Sequence, residues 1–220
     1  MRRTPMNKKP FHISVLGDSI STFDGISPPG GVYYGPSFGD ITGVRTPEDT
    51  WWMQVIRAMD GQLLANNSWS GSTISMVGSM PACSPSRIKK LAVDGTTPDH
   101  ILIFAGLNDV AFFADPNDFA ADYQRMLQRI QESYPQAQVT CGTLITGYLK
   151  DTPFTHQLGH IREKYLPYNQ AILESAAQFG YQAADIASFN ERFASMDGFH
   201  PNREGMSQLA DFWLKSIGLR

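Results

Sequence analysis

Short apolar runs recur along the chain at Phe11–Leu16, Leu63–Ala65, Ile101–Ala105, Val139–Leu144 and Gln182–Ile186. Four are partly or wholly apolar, as strands covered on both faces are. Helical periodicity lies between the runs. Thr46-Pro47-Glu48-Asp49 reads as a helix start, with a Thr cap, Pro at the first position and acids in the first turn. The helix that follows would carry Trp52, Val55, Ile56 and Met59 on one face. Asp115-Pro116 opens another, with Phe119, Tyr123, Met126, Leu127 and Ile130 at helical spacing. Tyr165–Phe179 and Arg203–Ile217 read as two more. Strand and helix alternate to the end. That alternation predicts one doubly wound α/β domain with a parallel sheet and helices on both faces.

Bulk properties narrow the partners. The chain has 220 residues, enough for one domain with a real core. Residues 1–10 are expected to form a flexible leading segment, and 11–220 the domain. A net charge of -3, from 18 Lys plus Arg against 21 Asp plus Glu, is too mild and mixed for nucleic acid or an anionic membrane. Cys83 and Cys141 are too few for a disulfide framework, and Cys141 reads as a buried thiol in a strand. The basic start lacks the apolar stretch of a signal peptide, and no later run approaches a membrane span. The expectation is a soluble, cytoplasmic protein without integral membrane association, or a secreted one if a signal had been removed. Nothing in the sequence sets the oligomeric state.

Two irregular stretches interrupt the pattern. Thr22–Arg45 is rich in Gly, Pro and Tyr, and Gly147–Gly159 contains Pro153 and His156, with His160 just after it. Loops of this length are more often functional than not.

The chemistry-bearing residues fall in short blocks. Gly17-Asp18-Ser19 follows the first apolar run, and Asp197-Gly198-Phe199-His200-Pro201-Asn202 lies near the end. Alone, the first is usually a turn and helix cap, and the second a surface turn whose Asn202 caps the next helix. Together they supply a serine, a base and an acid that orients the base. Ser19 would open a helix, so that its N–H points into the site with the positive end of the helix dipole. Two blocks lie between, Asn67-Ser68-Trp69-Ser70-Gly71 and Gly106-Leu107-Asn108-Asp109. Gly71 could offer a backbone N–H, and Asn108 a side-chain N–H, to a developing oxyanion. Ser19, Ser70-Gly71 and Asn108 each follow the C-terminal end of an expected parallel strand, the edge where open α/β sheets bind ligands.

In this order and spacing the blocks resemble the SGNH (GDSL-type) hydrolase superfamily. Gly17-Asp18-Ser19 carries Ile20 where the family name has Leu. Ser70-Gly71, Gly106-Leu107-Asn108-Asp109 and Asp197-Gly198-Phe199-His200-Pro201 match the later blocks. Ser68 stands where many members have Gly. The resemblance spans Ser19 to His200. It implies a flavodoxin-like three-layer α/β/α sandwich whose five-stranded parallel sheet has the order 2-1-3-4-5. It also implies ester hydrolysis, with Ser19, Asp197 and His200 catalytic and Ser19, Gly71 and Asn108 forming the oxyanion hole.

The substrate would be a small-molecule ester, with a short-acyl carboxylic ester favoured and a carbohydrate O-acetyl ester as one form of it. A lysophospholipase or acyl-thioesterase of the same superfamily is an alternative. A catalytically idle module that holds a glycan or acyl ligand is another. No cofactor is implied. Rival chemistries fit less well. There is no Gly-x-Ser-x-Gly elbow. His156-Gln157-Leu158-Gly159-His160 has zinc-helix spacing, but Gln157 replaces the catalytic Glu and Gly159 weakens the helix, so no metal is expected. Trp52 reads as core. Trp69, Phe112 and Phe199 are the candidate pocket residues, because aromatics beside donors line pockets as often as they fill cores.

Overall fold

The computed structural model describes residues 9–78, 80–149 and 161–220. Five parallel strands form the main sheet: β1 (His12–Gly17), β2 (Gln62–Asn66), β3 (His100–Phe104), β4 (Gln138–Gly142) and β6 (Gln182–Ala184), in the order β2-β1-β3-β4-β6. Counted within the sheet this is the expected 2-1-3-4-5. The extra number arises from β5 (Gly147–Leu149), which leaves the sheet and pairs in parallel with β7 (Phe193–Ser195). Every residue of β3, at the centre of the sheet, is buried. Its continuous apolar run is what burial on both faces requires.

Among the described residues seven helices accompany the strands: α1 (Gly39–Thr42), α2 (Trp51–Ala58), α3 (Pro85–Lys89), α4 (Leu107–Ala111), α5 (Pro116–Ser133), α6 (Ile161–Gln178) and α7 (Arg203–Ser216). α2 packs against α7, while α5 packs against α6 and α3. These two groups are the outer layers of a three-layer α/β sandwich. Between α2, α7 and the sheet, the rings of Trp51 and Trp213 stack with centroids 4.7 Å apart, and Phe104 meets Trp51 edge-on at 5.6 Å. All three are buried. Each such side chain contributes about 1.5–3 kcal/mol on burial, against roughly 0–1 for an exposed ion pair such as Arg57–Glu48. The aromatic cluster therefore decides how α7 sits.

The helix expected at Thr46 begins later. Thr46 and Asp49 form a capping box, but it closes a single 3-10 turn over Pro47–Asp49. Thr50 then caps α2 by accepting the Met53 N–H. Trp52, Val55 and Ile56 face the core as expected, with Met59 packed at its edge. Asp115 caps α5 and Asn202 caps α7 through their side chains, as read from the sequence. Cys141 is buried in β4, where burial pushes its thiol up to about 12. No helix among the described residues is long and apolar enough to cross a membrane.

Gly147–Gly159 is not wholly irregular, since Gly147–Leu149 is β5. The remainder from 150 to 159, with His156, and the following His160 lie outside the described residues, as do residues 1–8 of the expected leading segment. Thr22–Arg45 is largely irregular, broken by a 3-10 turn at Pro36–Phe38 and by α1.

Candidate active site

Ser19 follows β1 as the first residue of a 3-10 turn, Ser19–Ser21. A three-residue turn has little dipole of its own, so the helix dipole expected there is replaced by local geometry. Asp18 caps the turn by accepting the Ile20 N–H at 3.0 Å. Burial pushes the Asp18 carboxyl up to about 7, against the lowering effect of that bond.

His200 lies on the loop between β7 and α7. Its Nε2 is 2.9 Å from Ser19 Oγ, and its Nδ1 is 2.6 Å from Asp197 Oδ2. Asp197 Oδ1 accepts the backbone N–H groups of Phe199 at 2.9 Å and His200 at 2.8 Å. Burial works against the Asp197 carboxylate, but these bonds and the His200 side chain outweigh it and hold the acid at about 2. At neutral pH Asp197 is therefore an acceptor only, so Nδ1 must carry the hydrogen between them. In a neutral imidazole Nε2 is then the acceptor, and the Ser19 hydroxyl is the donor. Two blocks 181 residues apart meet in one polarised chain.

Small backbone bridges place that loop. Gly147 N–H in β5 donates to the Gly198 carbonyl at 2.9 Å, and Met196 N–H to the His200 carbonyl at 3.0 Å. Ser195 Oγ accepts the Gly198 N–H at 3.0 Å and donates to the Tyr148 carbonyl at 2.7 Å. The β5–β7 pair thus carries the Asp197–His200 turn.

The second and third blocks lie on the neighbouring strand ends. Ser72 N–H donates to the Trp69 carbonyl at 3.0 Å, closing a turn in which Gly71 has φ +75°. That left-handed conformation favours glycine, and a Cβ there would have no atom within 4 Å. The space in front of Gly71 is open. Asn108 Nδ2 donates to the Ser72 carbonyl at 2.9 Å, which fixes the amide with one of its two hydrogens. Trp69 is half-buried against Gly30 and Gly31 of the long loop, Phe199 is half-buried, and Phe112 caps the end of α4 at 55 % exposure.

Three residues to which the sequence assigns no such role hold these blocks together. Arg87, in α3, is buried. It donates to the Gly17 carbonyl at 3.2 Å, to the Asn67 carbonyl at 2.6 Å and to Ser72 Oγ at 2.9 Å. Asp109 is buried and accepts the N–H groups of Ile74 at 2.8 Å and Ser75 at 2.9 Å. Tyr33 stacks on His200, with ring centroids 3.9 Å apart and planes at 8°. Arg87 sits in a short basic stretch that reads as solvated surface, and Tyr33 is one aromatic among several in a loop. Neither carries a local signal of its partners.

A cleft of about 530 Å3 lies beyond the ends of β4 and β6, lined by Leu144, Tyr165, Asn169, Asp185 and Arg192 among others. Ser19, Gly71, Asn108, Asp197 and His200 do not line it. Among the described residues no group of three or more His, Cys, Asp or Glu could hold a metal ion.

The family model GDSL-like lipase/acylhydrolase matches residues 11–217. Among solved structures, a candidate GDSL-like lipase from Bacteroides uniformis superposes with TM-score 0.69 at 24% identity, over 95% of this chain and 96% of that one. A second, from Bacteroides ovatus, gives TM-score 0.68 at 22% identity, over 97% and 100%. A carbohydrate esterase family 2 enzyme with a carbohydrate binding domain, from Corynascus thermopiles (Myceliophthora fergusii), gives 0.60 at 18% identity, over 99% and 69%. At these identities the likeness is one of fold. No curated protein sequence matches the chain. The family model, spanning all the blocks from Gly17 to Pro201, places the chain in the GDSL-like lipase/acylhydrolase family.

Proposed function

We propose that the protein is a serine ester hydrolase acting on short-acyl carboxylic esters, with carbohydrate O-acetyl esters as a substrate class. Ser19 Oγ attacks the ester carbonyl while His200 Nε2 takes the serine proton. Asp197, ionised, keeps the imidazole in the required tautomer and stabilises the imidazolium. The N–H groups of Ser19 and Gly71, and the second amide hydrogen of Asn108, receive the oxyanion. His200 then protonates the leaving alcohol oxygen, leaving an acyl group on Ser19. Water, deprotonated by His200, attacks that acyl carbon and releases the acid and the free Ser19 hydroxyl. The carbonyl is polarised by N–H groups, so no step calls for a metal or cofactor.

One observation carries this reading: the unbroken chain from Ser19 Oγ through His200 to Asp197, with links of 2.9 and 2.6 Å. A module that only held a ligand would have no use for a serine hydroxyl aimed at an acid-backed imidazole. The short acyl group is supported by the position of the 530 Å3 cleft, which Ser19 does not line. The fold shared with a carbohydrate esterase family 2 enzyme supports a carbohydrate ester as the substrate class.

The test is hydrolysis of p-nitrophenyl acetate, butyrate and octanoate, combined with fluorophosphonate labelling. Acetate and butyrate should turn over faster than octanoate, and the label should sit on Ser19 alone. Ser19→Ala should lower kcat by at least about 10⁴-fold. Labelling at Ser70, or an alanine variant that keeps most of its rate, would refute the assignment.

A further inference from the structure

We propose that Tyr33 is a positioning residue of this site, a wall against which His200 is held in the plane that serves Ser19. The inference rests on the hydrolase reading above. Asp197 and Ser19 grip the imidazole at its two nitrogens, both in the ring plane. Two in-plane bonds leave one soft motion, rocking of the ring about the line between the nitrogens. A parallel ring at 3.9 Å and 8° lies where it blocks that motion. The same stacked face becomes electrostatically favourable once His200 has taken the serine proton, because a cation over a phenol ring is attracted to it.

Tyr33 is itself fixed from both sides. Its backbone N–H donates to Thr22 Oγ1 at 2.9 Å, and that hydroxyl donates to the Ser19 carbonyl at 2.8 Å. The backbone of the nucleophile and the wall behind the base therefore share one hydroxyl. The next residue, Tyr34, is buried and donates its hydroxyl to the Pro201 carbonyl at 3.0 Å, next to His200. Its ring meets Tyr33 at 5.2 Å and 61°. The Tyr33 phenol is held above its ordinary range by burial, then by the negative charge of Asp197. Tyr33 thus meets the base with its face and lies within reach of the charge of the acid. Tyr33 and Tyr34 lie in Thr22–Arg45, a loop long enough to be expected to be functional. The contacts tie both to the loop that carries the base.

The test compares Tyr33→Leu, Tyr33→Met and Tyr33→Phe with the full-length wild type. The readouts are kcat and KM on p-nitrophenyl acetate and butyrate, fluorophosphonate labelling rate, and the low-field proton NMR signal of the His200 Nδ1–H. Loss of the stacked face should lower kcat about 10–30-fold in the Leu variant, the rate equivalent of one cation–aromatic contact plus lost orientation. KM should stay within about twofold, since uniform binding is untouched. The low-field signal should broaden as the imidazole gains motion. Tyr33→Phe keeps the ring and should recover the signal and most of kcat. If the Leu variant fails to fold, Tyr33→Met fills similar space without a π face and takes its place. Wild-type kcat and an unbroadened signal in the Leu or Met variant would overturn the proposal. So would a change confined to KM or to the acetate-to-butyrate ratio, or a Phe variant as slow as Leu. Failure of the wild type to label at Ser19 would instead strike the hydrolase reading, and this inference with it.

Discussion

Gly205 in α7 and Ala194 in β7 are packed so closely that a Cβ on Gly205 would lie 1.9 Å from the Ala194 carbonyl oxygen. No flexible side chain can yield there, because the obstacle is backbone. Asn202 N–H also donates to that carbonyl, at 3.2 Å. The close approach of helix to strand thus sets the position of the loop bearing His200. Gly205→Ala should be destabilising despite the better helix propensity of Ala. The expected cost is about 1–3 kcal/mol from overpacking, against less than about 1 gained from propensity. Urea unfolding should show a lower midpoint, and kcat should fall as the Ser19–His200 distance is disturbed. An unchanged midpoint would mean that α7 can slide on β7 without cost.

Each strand of the main sheet overlaps a run read from the sequence, most clearly β3, whose five residues are all buried. β5 and β7 were not read. Three residues each, Gly147-Tyr148-Leu149 and Phe193-Ala194-Ser195 are too short to display a period. α3 and α4 were missed for the same reason. Thr46 signalled a turn correctly and a helix start too early, since Thr50 supplies a second cap four residues on. In the site, Ser19, Gly71, Asn108, Asp197 and His200 sit in local blocks, so the sequence could point to them. Arg87 and Tyr33 could not be found that way. Arg87 is defined by acceptors 7 to 70 positions away, and Tyr33 by a ring at the other end of the chain.

Asn108 is the one proposed oxyanion donor that mutation can remove, because its donor is a side chain. Asn108→Ala should lower kcat by about 10²–10³-fold with little change in KM, the usual effect of losing one preorganised donor. The Ser72 carbonyl also loses its partner, so a thermal melt should accompany the kinetics. A KM effect alone would make Asn108 a ligand of the ground state instead.

Arg87 joins Gly17, two residues before Ser19, to Asn67 and Ser72, which flank Gly71. Burial lowers its guanidinium to about 10, a value at which it still carries its charge at neutral pH. Arg87→Met keeps much of the volume but leaves those buried acceptors unpaired. Breaking a buried polar network in this way should cost about 3–5 kcal/mol. Chemical denaturation measures it directly. A loss below about 1 kcal/mol would show that water replaces the guanidinium and that the blocks hold without it.

Stability should depend on pH through two buried groups that act in opposite senses. His100, in β3, is buried with Nε2 2.8 Å from Thr140 Oγ1, and burial lowers its pKa from 6.5 to about 4. Between those values the unfolded chain binds the extra proton, so this contribution falls as pH drops from 6.5 toward 4. Asp18 is the reverse. Burial raises it from 3.8 to about 7, so the folded chain binds the extra proton across that window. Its contribution is fully present below 3.8 and is lost as pH rises through 7. Asp18→Asn keeps an acceptor for the Ile20 N–H and cannot ionise. Its stability relative to wild type should therefore climb from pH 4 to pH 8, by on the order of a few kcal/mol. His100→Gln should do the opposite in part, recovering stability relative to wild type as pH falls from 6.5 to 4. Urea midpoints across this range separate the two, because the windows overlap but the signs differ. An Asp18→Asn curve parallel to wild type at every pH would mean that the Asp18 carboxyl is no harder to ionise in the fold than in the unfolded chain.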